Sequence, residues 1–470
     1  MNVLLLRPVP RNERFGLGPF FRIEPLGMEY VAAALEAAGH HVTVVDLRFG
    51  RPVAHYLNAV RPAVVGVACM HALEYDDALS LVAEVRRLSP LARIIVGGHS
   101  AAAYPRPFFD ADVDAIVIDD GERGVPAFVG AVERGTPVAD VPGLVVRTDG
   151  AFMPTSGPAD EYRLDAVPLP SRGHMRPFRR HYACLAHRPA WLVETARGCP
   201  FRCSFCSVWQ MYDRGVRERG IGAVTEDFAS VGDHVFVADD LFFNHEPRSR
   251  ELARALRARG LRKRWVLVQS RVDTVARHPE LLDEWRPLAR EFDIFFGFEA
   301  PTDEGLRGLT KDTTVERMRE GIAAARAAGF GVTGNFVIDP DWTEDDFERL
   351  WDFVEEQRLF QAGFTILTPL PGTAYYERMR ASLRAVEWAQ FDMHHLLWEP
   401  RLGVTRFFEL YCDTWRRSVL NLGGQKRWRD WLRDVEWKNA VFLLKALRRT
   451  QRLMDPAHYL REHRLRATES

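Results

Sequence analysis

Cys199, Cys203 and Cys206 form a C-x3-C-x2-C motif, the strongest chemical signal in this chain of 470 residues. The chain contains 6 cysteines, and this motif holds half of them within one short stretch. Three thiolates can bind three irons of a four-iron cluster, which leaves the fourth iron open to a ligand that the protein does not supply. An open iron implies that the cluster performs chemistry on that ligand.

A structural zinc site is the alternative interpretation of this motif. Such sites normally have four ligands in paired Cys or His spacings. No second pair of that kind accompanies the motif, and the nearest histidine, His187, stands alone. The spacing therefore favours an iron-sulfur cluster over zinc. The remaining cysteines are isolated and are expected to be buried core thiols: Cys69, Cys184 and Cys412.

The composition excludes several classes of protein. A chain of 470 residues is long enough for two or three domains. Lys and Arg number 63 against 64 Asp and Glu, so no net field attracts nucleic acid, and we expect no nucleic-acid partner. The apolar run Val3–Leu6 has no basic lead-in and predicts a first strand rather than a signal peptide. With no apolar stretch of membrane-spanning length, a cytoplasmic location is expected, where thiols stay reduced.

Residues 1–135 alternate between short apolar runs and helical patterns, which is typical of a parallel α/β sheet. The predicted strands are Val3–Leu6, Val42–Val45, Ala63–Ala68, Arg93–Val96 and Ala115–Ile118. Ligands of such a Rossmann-like domain lie beyond the carboxyl ends of its strands. Two glycine-rich turns follow predicted strands there, at 97–100 and 120–124. Either turn can bring the backbone close to a flat ligand, and ordinary strand-to-helix turns are the alternative.

Residues 189–376 form a second α/β series of six strand-helix units, with catalytic groups expected at the carboxyl ends of its strands. The predicted strands are Trp191–Glu194, His234–Ala238, Trp265–Val268, Ile294–Phe298, Val332–Ile338 and Phe364–Leu367. The intervening residues 136–188 are richer in proline and are expected to be a connector that packs on the surface. Residues 377–470 are expected to form a helical C-terminal region.

The C-terminal region is rich in aromatic and basic side chains. Its aromatic residues can cover an apolar ligand, and plain packing between helices is the alternative. They are Phe407, Phe408, Tyr411, Trp415, Trp428, Trp431 and Trp437. The basic residues near the end predict an amphipathic face that can touch anionic membrane, with a solvated helix face as the alternative. They are Lys445, Arg448, Arg449 and Arg452.

The cysteine motif and the strand order that follows it resemble the radical S-adenosylmethionine (SAM) superfamily. The resemblance implies a 4Fe-4S cluster whose open iron binds the amino and carboxylate groups of SAM. It further implies that reductive cleavage of SAM gives a 5'-deoxyadenosyl radical, with an external electron donor of the flavodoxin or ferredoxin type. The six strand-helix units match the partial (β/α)6 barrel of that superfamily.

The two glycine-rich turns, placed before a cluster motif, resemble the cobalamin-binding domain of one large subgroup of the superfamily. This resemblance implies that Gly97, Gly98, His99 and Glu122 contact cobalamin, although a hydrogen-bonded turn is an equal alternative for His99. The sequence departs from the D-x-H-x-x-G pattern whose histidine binds cobalt from below. The loop Arg7–Glu24 after the first strand has no histidine, so the sequence names no lower ligand for cobalt.

Polar residues end the barrel strands. Asp240, with Asp239 before it, ends the second strand, where paired carboxylates can bind a metal or act as a general base. The resemblance gives this strand end the lesser task of shaping the site.

Arg271 ends the third strand and can pair with the SAM carboxylate or form an internal salt bridge to Asp273 or Asp240. Glu299 ends the fourth strand and resembles a family element that accepts hydrogen bonds from SAM. Lys311 is expected to be solvated.

Five segments resemble, in order, hopanoid C-3 methylases and their relatives: Glu24–Gly27, Gly97–Ser100, Arg197–Pro200, Asp339–Trp342 and Phe391–His395. The resemblance implies a cobalamin-dependent radical SAM methyltransferase that acts on an unactivated carbon of an apolar polycyclic or isoprenoid substrate. Ring formation, as in anaerobic porphyrin-ring cyclases, and rearrangement are alternatives within the subgroup. A non-catalytic α/β protein stabilised by a metal is the alternative from another class.

The cysteine motif leads to the first prediction. Replacing Cys199, Cys203 or Cys206 singly by Ala is expected to abolish SAM cleavage after anaerobic reconstitution, because each loss removes one iron ligand. Iron analysis and chromatography of 5'-deoxyadenosine measure the outcome. The matched controls are Cys69→Ala, Cys184→Ala and Cys412→Ala, which should keep about four irons per chain. Cleavage that persists without any one motif cysteine would contradict the assignment.

Overall fold

The computed structural model describes residues 1–11, 21–148, 150–157, 163–212, 215–359, 362–383, 387–419, 448 and 451–467. The strands before residue 190 are β1 Asn2–Arg7, β2 Phe21–Arg22, β3 His41–Asp46, β4 Val64–Ala68, β5 Arg93–Gly97, β6 Ala115–Val117, β7 Leu144–Thr148, β8 Ala151–Pro154 and β9 Ala183–Cys184. Those after it are β10 Trp191–Val193, β11 Ala196–Arg197, β12 Arg217–Glu218, β13 His234–Val237, β14 Lys263–Ser270, β15 Ala289–Glu299, β16 Gly331–Ile338 and β17 Gly363–Ile366.

Helices follow most strands of both sheets and cover their faces. They are α1 Leu26–Ala37, α2 Val53–Val60, α3 Tyr75–Leu88, α4 His99–Ala103, α5 Gly121–Arg134, α6 Val208–Met211, α7 Ile221–Ser230, α8 Glu246–Ala258, α9 Val272–Arg277, α10 Leu281–Trp285, α11 Asp303–Gly308, α12 Val315–Ala327, α13 Glu344–Glu356, α14 Ala374–Met379, α15 Val404–Val419 and α16 Pro456–Ala467. Every helix within the described ranges is too short or too polar to span a lipid bilayer.

The first sheet has the order β3-β1-β4-β5-β6-β7-β8, with parallel pairing from β3 through β6. All five residues of β4 are buried, as expected for a central strand with helices on both faces. The chain order reverses between β1 and β4, and this reversal opens a crevice at their carboxyl ends. The predicted Rossmann-like fold is confirmed.

The antiparallel hairpin β7–β8 extends the first sheet beyond the part that the sequence predicted to be sheet. Leu144, Val145 and Val146 are buried against β6, whereas the rest of β7 is exposed. A run of three apolar residues is too short for a strand to be distinguished from a loop by periodicity. The sheet therefore continues into residues that the sequence analysis assigned to the connector.

The second sheet is a partial barrel of six strands in the order β10-β13-β14-β15-β16-β17. All five pairings are parallel, so the carboxyl ends of the strands share one edge. Trp265, Trp285, Phe292 and Phe296 are among its largest fully buried side chains. The six predicted strands and the partial-barrel fold are confirmed.

A buried ion-pair network joins the two sheets on the side of α1. The Glu24 carboxylate accepts the Leu192 backbone N–H at 2.6 Å and pairs with Arg179 at 2.5 Å. Arg172 lies 3.2 Å from Glu24 and 2.8 Å from Asp227 of α7. Separating these groups would leave buried charges unpaired, which is energetically costly. The network therefore holds the residues that precede α1 against the barrel.

The aromatic side chains of α15 pack into the barrel core. Phe407, Phe408, Tyr411 and Trp415 are all buried there, and the Tyr411 hydroxyl donates to the Phe364 carbonyl oxygen of β17 at 3.0 Å. Helix packing, rather than a lining for a ligand, thus accounts for these four residues. Their predicted companions Trp428, Trp431 and Trp437, with Lys445 and Arg449, lie outside the described residues.

Candidate functional site

The loops after the carboxyl ends of the two sheets contact each other, and the cysteine motif lies in this interface. The motif follows β11, where Gly198 has φ 95° and a side chain would collide with the Gly215 carbonyl oxygen. Glycine is therefore required at this position, directly before the first cysteine. Two backbone hydrogen bonds of 3.1 Å then fix the loop, one from Cys206 N–H to the Cys203 carbonyl oxygen and one from Ser204 N–H to the Leu309 carbonyl oxygen.

The three motif thiols are close enough to influence one another's ionisation. Burial, opposed in part by the Val208 backbone N–H and reinforced by the other two thiols, raises the pKa of Cys206 to about 12. Burial also raises the pKa values of Cys199 and Cys203. Iron displaces thiol protons on binding, so three clustered thiols fit the predicted cluster. In the part of the chain described, no three Cys, His, Asp or Glu side chains lie close enough together to hold one metal ion, and a four-iron cluster does not require this because each thiolate binds a different iron.

Arg271 contacts the cysteine motif directly. Its Nη1 lies 3.8 Å from Cys203 Sγ, and its guanidinium stacks 3.7 Å from the Phe201 ring centre. Its Nε donates to Asp273 at 2.9 Å and its Nη2 to the Asp312 carbonyl oxygen at 3.1 Å. The internal salt bridge foreseen to Asp273 is present, and the contact with Cys203 was not foreseen from the sequence.

Glu299 forms a buried ion pair with Lys311. Lys311 Nζ lies 2.8 Å from Glu299 Oε1, and both side chains are nearly inaccessible to solvent. The expectation that Lys311 is solvated is therefore wrong, because the chain after α11 returns it to the carboxyl end of β15. A Cβ on Gly297 would come within 2.9 Å of Lys311 Nζ, so glycine there leaves room for the pair.

Asp239 and Asp240 bind backbone amides that lead into the cysteine motif. Asp239 accepts the Thr195 and Ala196 N–H groups at 2.6 and 3.1 Å, and burial raises its pKa to about 6. Asp240 Oδ2 accepts the Gly198 N–H at 2.8 Å. Both carboxylates thus hold the loop in shape, which is the lesser of the two tasks that the sequence allowed.

The crevice at the ends of β1 and β4 exposes apolar surface. Val9 and Met70, just beyond these strands, are 55% and 39% exposed. The neighbouring strand, β5, ends at Gly97. The next residue, Gly98, has φ 112° and packs its backbone against Cys69, so that a Cβ on Gly98 would lie 2.6 Å from the Cys69 carbonyl oxygen. Ligands of doubly wound sheets bind outside the carboxyl ends of the strands at such a switch point, so this glycine turn lies where a large flat ligand such as a corrin would be held.

The histidines at this edge already have partners within the protein. His99 Nε2 lies 2.6 Å from Ser207 Oγ, and burial lowers the His99 pKa to about 4. This is the hydrogen-bonded turn that the sequence left open. The Glu74 backbone N–H donates to the His71 carbonyl oxygen at 2.9 Å, the Glu74 carboxylate accepts the His71 backbone N–H at 3.3 Å, and burial lowers the pKa of the His71 ring.

Glu122 lies at the start of α5 and points at the cysteine loop. Its Oε1 is 2.5 Å from Arg197 Nη2, and neighbouring Asp120 also pairs with Arg197, at 3.2 Å. The sequence singled out Glu122 as a cobalamin contact but not Arg197 as its partner. Only the dipeptide Arg197-Gly198 before the first cysteine signalled that this arginine lies beside the motif.

Comparison with protein families agrees with this geometry. Residues 20–129 match the B12-binding domain, and residues 193–354 match the radical SAM superfamily. The chain therefore carries a cobalamin-binding domain followed by a radical SAM domain, and its cofactors are a 4Fe-4S cluster, SAM and cobalamin. These two domains, in this order, are those of cobalamin-dependent radical SAM enzymes, and its homologues and structural neighbours include methyltransferases of that type.

Similar proteins include enzymes with different named activities. Hopanoid C-3 methylase of Methylococcus capsulatus is 28% identical over 95% of this chain and 86% of that protein. The anaerobic magnesium-protoporphyrin IX monomethyl ester cyclase of Rubrivivax gelatinosus is 25% identical over 84% of this chain and 74% of that protein.

Two solved structures share the fold. The cobalamin-dependent SAM radical enzyme OxsB, with aqua-cobalamin and SAM bound, has a TM-score of 0.71 and 16% identity over 88% of this chain and 66% of its own. The methyltransferase TsrM from Kitasatospora setae, with cobalamin and the cluster bound, has a TM-score of 0.66 and 19% identity over 82% of this chain and 79% of its own.

We expect Arg271→Gln to make the reduction potential of the SAM-free cluster more negative, because the cation beside Cys203 stabilises an added electron. A hydrogen bond to a charged group contributes about 1.5–3 kcal/mol, and only the part that differs between the two oxidation states moves the potential, so we expect a shift on the order of tens of mV. Redox titration monitored by electron paramagnetic resonance measures it. Arg319→Gln, which breaks an exposed pair with Glu356, is the control. An unchanged potential in Arg271→Gln would contradict the expectation.

We expect the full chain to bind cobalamin with its dimethylbenzimidazole displaced and no protein histidine below cobalt. The reason is that the loop from residue 7 to 24, which follows the first strand, has no histidine. Electron paramagnetic resonance of the Co(II) form tests this. Cobinamide, which lacks the benzimidazole, is the control and should give the same spectrum. Hyperfine splitting from an axial nitrogen would refute the prediction.

Proposed function

We propose that this enzyme transfers a SAM-derived methyl group to an unactivated carbon of an apolar polycyclic or isoprenoid substrate, such as a hopanoid. The observation that carries the proposal is the full-length likeness to hopanoid C-3 methylase, which spans 95% of this chain. This likeness covers both cofactor domains and also the C-terminal region, which neither domain family matches. We expect the C-terminal region to select the substrate.

The bound cofactors supply the group-transfer chemistry: the cluster supplies reductive cleavage of SAM, and cobalamin supplies a methyl carrier. The chain's own task is to hold them. We propose that Cys199, Cys203 and Cys206 bind the cluster. An external one-electron donor of the flavodoxin or ferredoxin type is expected to reduce it.

We propose that Glu299 binds SAM at the end of β15. Lys311 engages Oε1, and Oε2 makes no hydrogen bond to any described residue, so this second oxygen can accept from the SAM amine or ribose hydroxyls. The ammonium of Lys311 offsets the negative charge of this buried carboxylate. Arg271, with its donors already directed at Asp273, Asp312 and Cys203, is expected to act mainly on the cluster rather than on the SAM carboxylate.

Exclusion of water is required because stray hydrogen donors quench a primary carbon radical. The interface between the two sheets serves this purpose: Arg197, Asp120 and Ser207 are all buried there. These three side chains are thus paired with protein rather than with solvent.

Ring closure on a porphyrin-type substrate is the second candidate. A magnesium-protoporphyrin cyclase matches 84% of this chain at 25% identity, close to the value for hopanoid C-3 methylase. Both substrates are large, apolar and polycyclic, so the two candidates differ in the fate of the substrate radical. A mass gain of one methyl group separates them.

We expect methyl-labelled SAM to give a labelled, heavier product with a hopanoid substrate. The assay offers hopanoid, porphyrin-type and small polar substrates separately, with mass spectrometry of each product and of lipid extracts from cells with and without the protein. Cys203→Ala is the control that should give no product with any substrate. Label only in a small polar product, or a product without the added methyl mass, would defeat the proposal and leave the radical SAM assignment intact.

A further inference from the structure

We propose that the cobalamin-binding domain holds the cysteine loop at both ends, so that cobalamin binding and cluster assembly are energetically coupled. His99 and Glu122 of the first domain, with Ser207 and Arg197 of the cysteine loop, are the positioning residues. The inference requires both cofactors to bind and does not depend on the substrate or on the reaction that follows.

The upstream end is fixed through Arg197, two residues before Cys199. Its three guanidinium nitrogens each face a carboxylate: Nη1 lies 3.2 Å from Asp120, Nη2 2.5 Å from Glu122 and Nε 2.8 Å from Glu194. Only 8% of the arginine is exposed. A buried guanidinium with every nitrogen paired has one favourable orientation, so movement of the Asp120–Glu122 turn must move the start of the motif.

The downstream end is fixed through Ser207, the residue after Cys206. Its hydroxyl lies 2.6 Å from His99 Nε2, across 108 positions of sequence, and the serine is buried. His99 opens α4 directly after the Gly97-Gly98 turn. The two turns proposed to contact cobalamin therefore each bind one flank of the cysteine motif.

A further contact closes the arrangement around α6, the short helix after the motif. With its amide oriented to satisfy both partners, Gln210 donates to the Gly372 carbonyl oxygen and accepts the Ala374 N–H at 3.3 Å. Gly372, at φ 86°, lies against α4, where a Cβ would come within 2.6 Å of the Ala103 carbonyl oxygen. The start of α4 contacts the motif, and its end contacts the barrel loop that holds α6.

Coupling between two binding sites is reciprocal: a cluster that orders the loop must favour cobalamin by the same factor as cobalamin favours the cluster. Couplings through such contacts are typically about 5- to 150-fold. We therefore expect the full chain to bind cobalamin at least about fivefold more tightly with its cluster than before reconstitution.

The test compares cobalamin dissociation constants of cluster-free and reconstituted full-length protein, by spectrophotometric titration. Ser207→Ala keeps His99 and every proposed cobalamin contact but removes the link, and Arg197→Lys keeps the charge but loses the three-way pairing. Both variants should bring the ratio of the two constants towards one while retaining about four irons per chain. The cluster's electron paramagnetic resonance spectrum should change on adding cobalamin in the wild type, and less in either variant.

The controls are Ser230→Ala, whose hydroxyl bonds only within α7, and Arg319→Lys in an exposed pair. Both should keep the wild-type ratio. Equal constants in wild-type protein with and without the cluster would overturn the proposal. So would a full wild-type ratio in iron-loaded Ser207→Ala and Arg197→Lys.

Discussion

The buried guanidinium of Arg197 is the interaction on which the site depends. It meets carboxylates from the first sheet, Asp120 and Glu122, and from the end of β10, Glu194. Removing one partner of a buried ion pair typically costs about 3–5 kcal/mol, because the other charge remains without solvent. The two sheets are therefore held with their carboxyl ends facing each other, which brings the turns at the carboxyl end of the first sheet and the cysteine motif into one interface.

Other polar residues at the strand ends hold backbone and neighbouring side chains in place. Asp239 and Asp240 accept backbone N–H groups before the first cysteine, and Glu299 holds Lys311. Fixing groups in advance lowers the reorganisation needed when a ligand arrives. Arg271 adds a contact with Cys203 Sγ, so a charged side chain reaches the motif itself.

Most of the fold follows from local sequence because both sheets are largely parallel. A buried parallel strand is a continuous apolar run, and each of the eleven predicted strands overlaps an observed one, including Val3–Leu6 within β1. The hairpin β7–β8 was missed because only its first three residues are buried, and an edge strand exposed to solvent has no such pattern. The three cofactors, a 4Fe-4S cluster, SAM and cobalamin, were predicted from the resemblance of the chain to cobalamin-binding radical SAM enzymes.

The sequence by itself indicated the chemistry of the site, because Cys199, Cys203 and Cys206 lie within one loop at a spacing that predicts three ligands of a four-iron cluster. It did not determine the partners of the charged residues. The pairs His99–Ser207 and Glu122–Arg197 join positions 108 and 75 residues apart. Such pairs depend on which loops the packed sheets bring together, since burial forces each polar group to find a partner that only the tertiary structure supplies.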